Sequence, residues 1–227
     1  MGTKIKHEKI RRKQTTGEEI ANAITHGIMV LFAIAIMVVL LTRSHYQAIK
    51  IFSAIVFGVS MIVLYINSCL YHSLTNNTAK NKVFRRLDHV SIYLLIGGTY
   101  APILLTLDTL QTPLFAGSLS IGISTFIAQW VLIAVGITCK CVFFKKYHWI
   151  HVITFLLLGC LCFIFVDKLW AAGPLFFWLI VGGGLAYVIG IVFYIIKKVK
   201  YFHFVWHIFT MIGTVLHALA IVLVIYQ

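Results

Sequence analysis

The chain has 227 residues, of which 61% are hydrophobic and only 11% are charged, and its formal net charge at pH 7 is +13. Apolar runs recur at intervals of about one membrane-crossing helix, which excludes a water-soluble globular domain and indicates a polytopic helical membrane protein. The basic residues lie in short segments between these runs and not on one folded surface, so the charge indicates membrane topology and excludes a nucleic-acid-binding domain.

Two regions follow from this pattern. Residues 1–19 are polar and basic and are predicted to form a cytoplasmic segment, and residues 20–227 are predicted to form a single seven-helix transmembrane domain. The first apolar run has the length of a full crossing and no obvious cleavage site, so we expect it to remain as a span. The predicted class is all-α, in the cell membrane, with spans at residues 20–42, 49–71, 88–107, 114–137, 149–166, 175–196 and 202–226.

Lysine and arginine residues are distributed unequally between the two sides of these spans. If the N-terminus is cytoplasmic, the segments on that side hold 16 of them and the segments on the opposite side hold 3. Such a bias over short loops predicts a cytoplasmic N-terminus and an external C-terminus, and it agrees with an odd number of spans.

Polar residues concentrate at the predicted cytoplasmic ends of four spans. Residues four apart on a helix share a face, so His203 and His207 are spaced to reach one metal ion or one ligand, and Ser68 and His72 form a second such pair. In chain order the polar residues are Glu19, Asn22, Thr25 and His26 in span 1, Ser68 and His72 in span 2, Asp88 in span 3, and His203 and His207 in span 7.

Each of these residues also has an ordinary explanation. Helix ends near a membrane surface are commonly polar, an acid such as Glu19 is favoured in a first helical turn, and a histidine there can simply bond a backbone carbonyl. The combination is harder to explain in this way, because ionisable groups inside spans are costly and are usually functional. An acid and three histidines from spans 2, 3 and 7 therefore favour a site.

The residue types indicate the chemistry of this site. Three neutral imidazoles, from His72, His203 and His207, with one open position match a catalytic zinc site whose fourth ligand is water or substrate. Asp88 is placed to orient that water or transfer its proton, and Ser68 to hydrogen-bond a reacting carbonyl. Imidazole also accepts other divalent ions. A substrate that enters such a site from the bilayer would be a lipid or an acyl amide.

The same residues resemble the motifs of the progestin and adipoQ receptor family. The motifs are Glu19-x-x-Asn22-x-x-Thr25-His26, Ser68-x-x-x-His72, Asp88, and His203-x-x-x-His207, in that order. The short chain and the stretch from Arg86 to Tyr93 are similar to the bacterial hemolysin III-related branch. The resemblance extends from about residue 18 to residue 220.

This resemblance implies a seven-helix bundle with zinc held near the cytoplasmic side by His72, His203 and His207, with Asp88 on the zinc-bound water and Ser68 nearby. Glu19, Asn22 and His26 would support the site. The adiponectin receptor branch is associated with ceramide hydrolysis, whereas the bacterial branch is named for pore-forming hemolysis and is linked to membrane lipid homeostasis. Three functions therefore remain open: a zinc-dependent lipid amide or ester hydrolase, a cytolysin, and a sensor or regulator of membrane lipids. Membrane lipids are the expected partners.

Overall fold

A computed structural model describes residues 12–74, 78–143 and 148–227, and this part of the chain is built from helices without a β-sheet. Seven stretches of it are long and apolar enough to cross a membrane, which confirms the predicted seven-span, all-α class. Spans 1 to 4 are the helices Thr16–Thr42, Ala48–Ser73, Thr78–Thr106 and Ile121–Val142. Span 5 combines His148–Gly159, the 3-10 segment Cys160–Phe165 and Val166–Ala171; span 6 is Pro174–Ile195; span 7 is Phe202–Ala220 with the π-turn Ile221–Ile225.

The distribution of polar and apolar residues on span 1 is the one expected in a lipid environment. Ile20, Ile24 and Ile28 lie on its outer face and are 53 to 57% exposed, whereas Asn22 and His26 on its inner face are buried. Residues spaced by four share one side of a helix, so the apolar stripe faces outward and the polar stripe faces the bundle. Span 1 therefore meets lipid with its apolar side and directs its polar residues toward the other spans.

Span 3 lies at the centre of the bundle. In its most apolar window 67% of the residues are buried, against 17 to 44% in the other spans. Gly97 and Gly98 permit this position, because a Cβ atom at Gly98 would collide with Ser60 of span 2 and one at Gly97 would lie 2.6 Å from Ile133 of span 4. The two glycines therefore allow spans 2 and 4 to pack closely against span 3.

Three helix starts differ from the predicted ones by more than one residue. Span 1 begins at Thr16 and not at residue 20, because Thr15 and Glu18 form a capping box in which each side chain bonds the other residue's backbone N–H. Span 3 begins at Thr78, so Asp88 lies well inside the helix and not at its first residue. Span 4 begins at Ile121 and not at residue 114; Gly117 has a φ of +77° and Ser120 caps the helix, so turn chemistry prevails over the apolar residues in this loop.

Span 5 is longer than predicted. It continues past residue 166 to Ala171, so Asp167 lies in a helix and not in a loop. The 3-10 segment within span 5 is explained by a side chain of span 3. The Tyr100 hydroxyl donates a hydrogen bond of 2.6 Å to the Gly159 carbonyl and accepts one of 3.0 Å from the Cys162 N–H. A side chain inserted into the backbone ladder in this way interrupts the α-helical pattern.

Candidate metal site

Three histidines from two spans converge at one end of the bundle. His72 lies in the last turn of span 2, and His203 and His207 lie one turn apart at the start of span 7. One ring nitrogen of each lies within 4.8 Å of one ring nitrogen of each of the others, and the ring centroids are 4.7 to 5.2 Å apart. His72 and His207 are almost fully buried. The histidine cluster, as we call these three residues, could hold a metal ion.

The surroundings of His72 fit a metal ligand. Its Nδ1 lies 2.6 Å from Glu19 Oε2, so the Nδ1 hydrogen is donated to the carboxylate, and its Nε2 is buried without a hydrogen-bond partner among the described residues. Asn22 Nδ2 lies 3.5 Å from the same Nδ1 but donates to Gln14 Oε1 at 2.9 Å. A carboxylate on one nitrogen and a bare lone pair on the other is the usual arrangement of a metal-binding imidazole.

His207 is held between span 1 residues. Its ring stacks on that of His26, with 3.7 Å between centroids and an interplanar angle of 10°. Thr25 Oγ1 lies 3.5 Å from His207 Nδ1, while its own hydrogen is shared between the carbonyls of Ala21 and Asn22. The two ring nitrogens of His26 are buried, and neither has a partner in the described part of the chain. His26 therefore supports His207 through its ring face and retains its hydrogen-bonding capacity.

Ser68 and Asp88 lie beside the histidine cluster. Ser68 is one turn before His72 and is buried, and its hydroxyl oxygen has no hydrogen-bond partner of normal geometry among the described residues. Asp88 lies near Ser68, His72 and His203, within range for electrostatic interaction, and 3.3 Å from His89 Nδ1. The structure thus brings the predicted acid and hydroxyl to the three imidazoles. Buried groups without partners are costly, so they fit a bound metal ion with its water or substrate.

A cavity of about 600 Å³ begins at the histidine cluster. Ser68, His72, Asp88, His203 and His207 line its polar end, and its other walls come mainly from apolar side chains of spans 3, 5 and 6. The space is not filled by these walls, because a Cβ atom added at Gly159 or Gly184 would meet nothing within 4 Å. Its volume falls within the usual range for small-molecule pockets.

Glu18 is a structural residue near the site that the sequence analysis did not identify. Its buried carboxylate accepts hydrogen bonds from the guanidinium of Arg12, the backbone N–H of Thr15 and, at 2.7 Å, the backbone N–H of Tyr201. The bond to Glu18 raises the pKa of Arg12 above its ordinary value. Glu18 thereby fastens the segment before span 1 to the loop that precedes His203. The pattern Thr15-x-x-Glu18 is a capping box and could have been found in the sequence.

Two further histidines lie inside the bundle. His151 is buried near the start of span 5, where its Nδ1 lies 3.0 Å from the Tyr93 hydroxyl. His217 lies deeper in span 7 and donates from Nε2 to the carbonyl of Ile180 in span 6 at 3.0 Å. These contacts link span 5 to span 3 and span 7 to span 6. His148 lies outside the described side chains.

Fold and site together define the class: a polytopic membrane protein with a buried three-histidine cluster at the end of an apolar cavity. The family model described as haemolysin-III related matches residues 14–218. The chain belongs to this family, the bacterial haemolysin III-related branch of the progestin and adipoQ receptor family, as its motifs predicted.

Two bacterial relatives agree over most of the chain. The "Hemolysin-3 homolog" of Bacillus subtilis (strain 168) is 38% identical over 203 residues, which cover 88% of this chain and 91% of the relative. The "Hemolysin-3" of Bacillus cereus is 35% identical over 208 residues, or 90% of each chain. With seven spans and these relatives, the protein is a multi-pass protein of the bacterial cell membrane.

Proposed function

We propose that the protein is a zinc-dependent intramembrane hydrolase that cleaves an amide or ester bond of a membrane lipid. The observation that carries the proposal is that the histidine cluster opens into an apolar cavity of about 600 Å³. A lipid with its chain in this cavity has its carbonyl group at the imidazoles. Three imidazoles with one remaining coordination position are a donor set of catalytic zinc.

The chemistry divides between the ion and the chain. Zinc held by His72, His203 and His207 would make a bound water more acidic and polarise a carbonyl group. Asp88 accepts the proton of the attacking water, whose oxygen bonds to the carbonyl carbon, and returns that proton to the amine or alcohol that leaves. Ser68, whose buried hydroxyl lies beside Asp88, donates a hydrogen bond to the carbonyl oxygen.

The first experiment measures the metal content of the purified protein by mass spectrometry. We expect about one zinc ion per chain in the wild type and none in the His203→Ala, His207→Ala double variant, because one imidazole cannot retain the ion. His45→Ala is the matched control, since this histidine is exposed and lies at the opposite end of the bundle. Absence of metal from the wild type after zinc is supplied would contradict the proposal.

The second experiment tests turnover. Zinc-loaded protein is incubated with a total bacterial lipid extract, and released fatty acids, amines and alcohols are identified by mass spectrometry. Asp88→Ala is expected to retain zinc and lose at least about a hundredfold in rate, because a positioned general base contributes that much or more. If the loaded wild type cleaves no lipid amide or ester, the hydrolase proposal fails.

The name of the Bacillus cereus relative makes membrane lysis a second candidate. A chain with seven strongly apolar spans is insoluble without a bilayer, which argues against a secreted pore-former. Lysis of erythrocytes by a variant that lacks all three histidines would favour the lytic function. If the protein binds zinc but cleaves no lipid, and if its deletion from the bacterium changes membrane fluidity, the third function, regulation of membrane lipids, would instead be favoured.

A further inference from the structure

A second polar cluster lies deeper in the bundle, where spans 2, 6 and 7 meet. The Tyr65 hydroxyl donates to Thr214 Oγ1 at 2.7 Å, and the Tyr187 hydroxyl lies at 2.7 Å from the same oxygen. Tyr65 and Thr214 are fully buried. His217 follows Thr214 by one turn, and its ring centroid is 5.7 Å from that of Tyr187. None of these residues belongs to the histidine cluster.

The three hydroxyl groups leave one hydrogen unused. The hydrogen of Tyr65 is donated to Thr214, and either Tyr187 or Thr214 donates in their shared hydrogen bond. Two of the three hydroxyl hydrogens thus enter hydrogen bonds, and neither Tyr187 nor Thr214 donates to any other acceptor in the described part of the chain. Tyr187 and Thr214 together therefore have one hydroxyl hydrogen that can still be donated, which we call the spare donor.

His217 provides a spare acceptor next to this donor. Its Nε2 lies 3.0 Å from the Ile180 carbonyl oxygen, which can only accept, so Nε2 carries the hydrogen. In the neutral ring Nδ1 is then a bare acceptor, and it is buried without a partner among the described residues. A Cβ atom at Gly183 would collide with the Cδ2 and Nε2 edge of the ring, so span 6 fixes this orientation.

The two residues that carry the spare donor and the spare acceptor line the same cavity. Tyr187 and His217 both line it, together with Thr210 one helical turn nearer to His207. The neighbouring wall is apolar, for example at Val181 and Val188. Unsatisfied polar groups at membrane depth are costly, because hydrocarbon offers them no hydrogen-bond partner. A ligand group that both donates and accepts would satisfy the two together.

We propose that this part of the cavity binds a hydroxyl group in the middle of a lipid chain, which donates to His217 Nδ1 and accepts from the hydroxyl of Tyr187. The protein then selects lipids whose acyl chain is hydroxylated far from the carbonyl group. This selectivity rests on the proposed function only in that the carbonyl end of the lipid lies at the histidine cluster.

The helix sets the position of the hydroxyl group along the chain. Thr214 and His217 follow His207 by seven and ten residues, which is about 10 to 15 Å along the axis at 1.5 Å per residue. An extended chain advances about 1.2 Å per bond, judged from the reach of an extended backbone. The hydroxyl group therefore lies roughly nine to twelve bonds from the carbonyl carbon. The hydroxyl-bearing carbon of 12-hydroxystearate lies within this range of its carbonyl carbon.

The test is a competition that needs no turnover. Zinc-loaded protein in detergent is incubated with equal concentrations of stearate, 3-hydroxystearate and 12-hydroxystearate, repurified, and its bound fatty acids are quantified by mass spectrometry. We expect 12-hydroxystearate to be enriched about fivefold to tenfold over the other two, in line with one or two net hydrogen bonds. Tyr187→Phe should reduce the ratio to about one, as should His217→Phe by removing the acceptor.

The control is Tyr194→Phe, which removes a cavity-lining hydroxyl near the histidine cluster and should leave the enrichment unchanged. Equal recovery of the three acids by the wild type would overturn the proposal, as would an enrichment that survives both Tyr187→Phe and His217→Phe. Enrichment of 3-hydroxystearate to the same level would overturn it too. A missing hydrolase activity does not alter the competition, so the two proposals fail separately.

Discussion

The two ring nitrogens of His72 have different surroundings. Glu19 accepts the Nδ1 hydrogen at 2.6 Å, and the buried Nε2 has no hydrogen-bond partner among the described residues. Such a carboxylate fixes the tautomer and ring orientation and makes the metal-facing nitrogen more basic. The described partners of His207 are the Thr25 hydroxyl, 3.5 Å from Nδ1, and the Asn22 backbone carbonyl, and neither carries the charge that Glu19 brings to His72. We therefore expect His72 to be the most firmly oriented of the three ligands.

Replacement of Glu19 tests this orientation. Glu19→Gln keeps an acceptor but removes the negative charge, so we expect zinc affinity to fall about 10-fold to 100-fold, the usual effect of changing such a supporting carboxylate. The measurement is a zinc competition titration against a chelator of known affinity. Asp167→Asn is the charge-matched control, because its side chain is 71% exposed and it lies at the far end of span 5. Equal affinity in wild type and Glu19→Gln would refute this role.

Local spacing explains which site residues were predictable. Ser68 with His72 and His203 with His207 are separated by four residues, so each pair could be identified from the sequence alone. The capping pattern Thr15-x-x-Glu18 distinguishes Glu18 from Glu19 in the sequence, but only the fold shows that one carboxylate reaches Tyr201 and the other His72. The cluster at Tyr65, Tyr187 and Thr214 was missed, because its members come from three spans and no local pattern relates them.

At the scale of the helix, span 5 depends on a residue of span 3. Tyr100 is 7% exposed, and its hydroxyl replaces two backbone partners at the start of the 3-10 segment, the Gly159 carbonyl and the Cys162 N–H. Hydropathy predicts the end of this span at residue 166, where the charged residues Asp167 and Lys168 follow. It contains no information on a side chain inserted from another helix, so the 3-10 segment could not be predicted. The interruption also shapes the cavity, which Tyr100, Gly159 and Cys160 all line.

Tyr100→Phe should destabilise the protein. The substitution retains the ring but removes the hydroxyl, which leaves the Gly159 carbonyl and the Cys162 N–H, both partly buried, without this partner, at a cost of about 1 to 3 kcal/mol. Thermal unfolding in detergent micelles, followed by circular dichroism, would measure the loss. Tyr46→Phe is the matched control, because Tyr46 is 98% exposed and its replacement should leave the unfolding temperature unchanged. Equal unfolding temperatures of the two variants would show that the bridge contributes nothing.

Adjacent glycines in span 6 allow a matched test of helix packing. A Cβ atom at Gly183 would collide with the His217 ring and lie 3.1 Å from the Gly213 carbonyl oxygen, whereas one at Gly184 would meet nothing within 4 Å. Gly183→Ala should therefore lower stability by about 1 to 3 kcal/mol through overpacking. Gly184→Ala should be neutral or stabilising by up to about 1 kcal/mol, because alanine favours the helix. Stability of the two variants is compared by thermal unfolding, and similar losses would contradict close packing at Gly183.

At the scale of the whole molecule, the most buried span is also the least apolar one. Span 3 has the lowest mean hydropathy of the seven, 1.4, and the largest buried share, 67%. A helix enclosed by other helices meets protein on all sides and needs fewer apolar residues than one that faces lipid. All seven spans, including span 3, are still apolar enough to be recognised, so their number and approximate position were predictable from hydropathy. The central position of span 3 was not predicted, because it depends on contacts between helices.

The orientation of the bundle decides which side of the membrane the histidine cluster faces. Span 2 ends, and spans 3 and 7 begin, at the same end of the bundle as the start of span 1. The 16 to 3 distribution of lysine and arginine predicts that this end is cytoplasmic. Green fluorescent protein fused before Met1 should therefore fluoresce, whereas the same domain fused after Gln227 should remain dark, because it does not mature after export in the unfolded state. A bright fusion after Gln227 and a dark one before Met1 would reverse the orientation, and the proposed hydrolase would then act at the outer face.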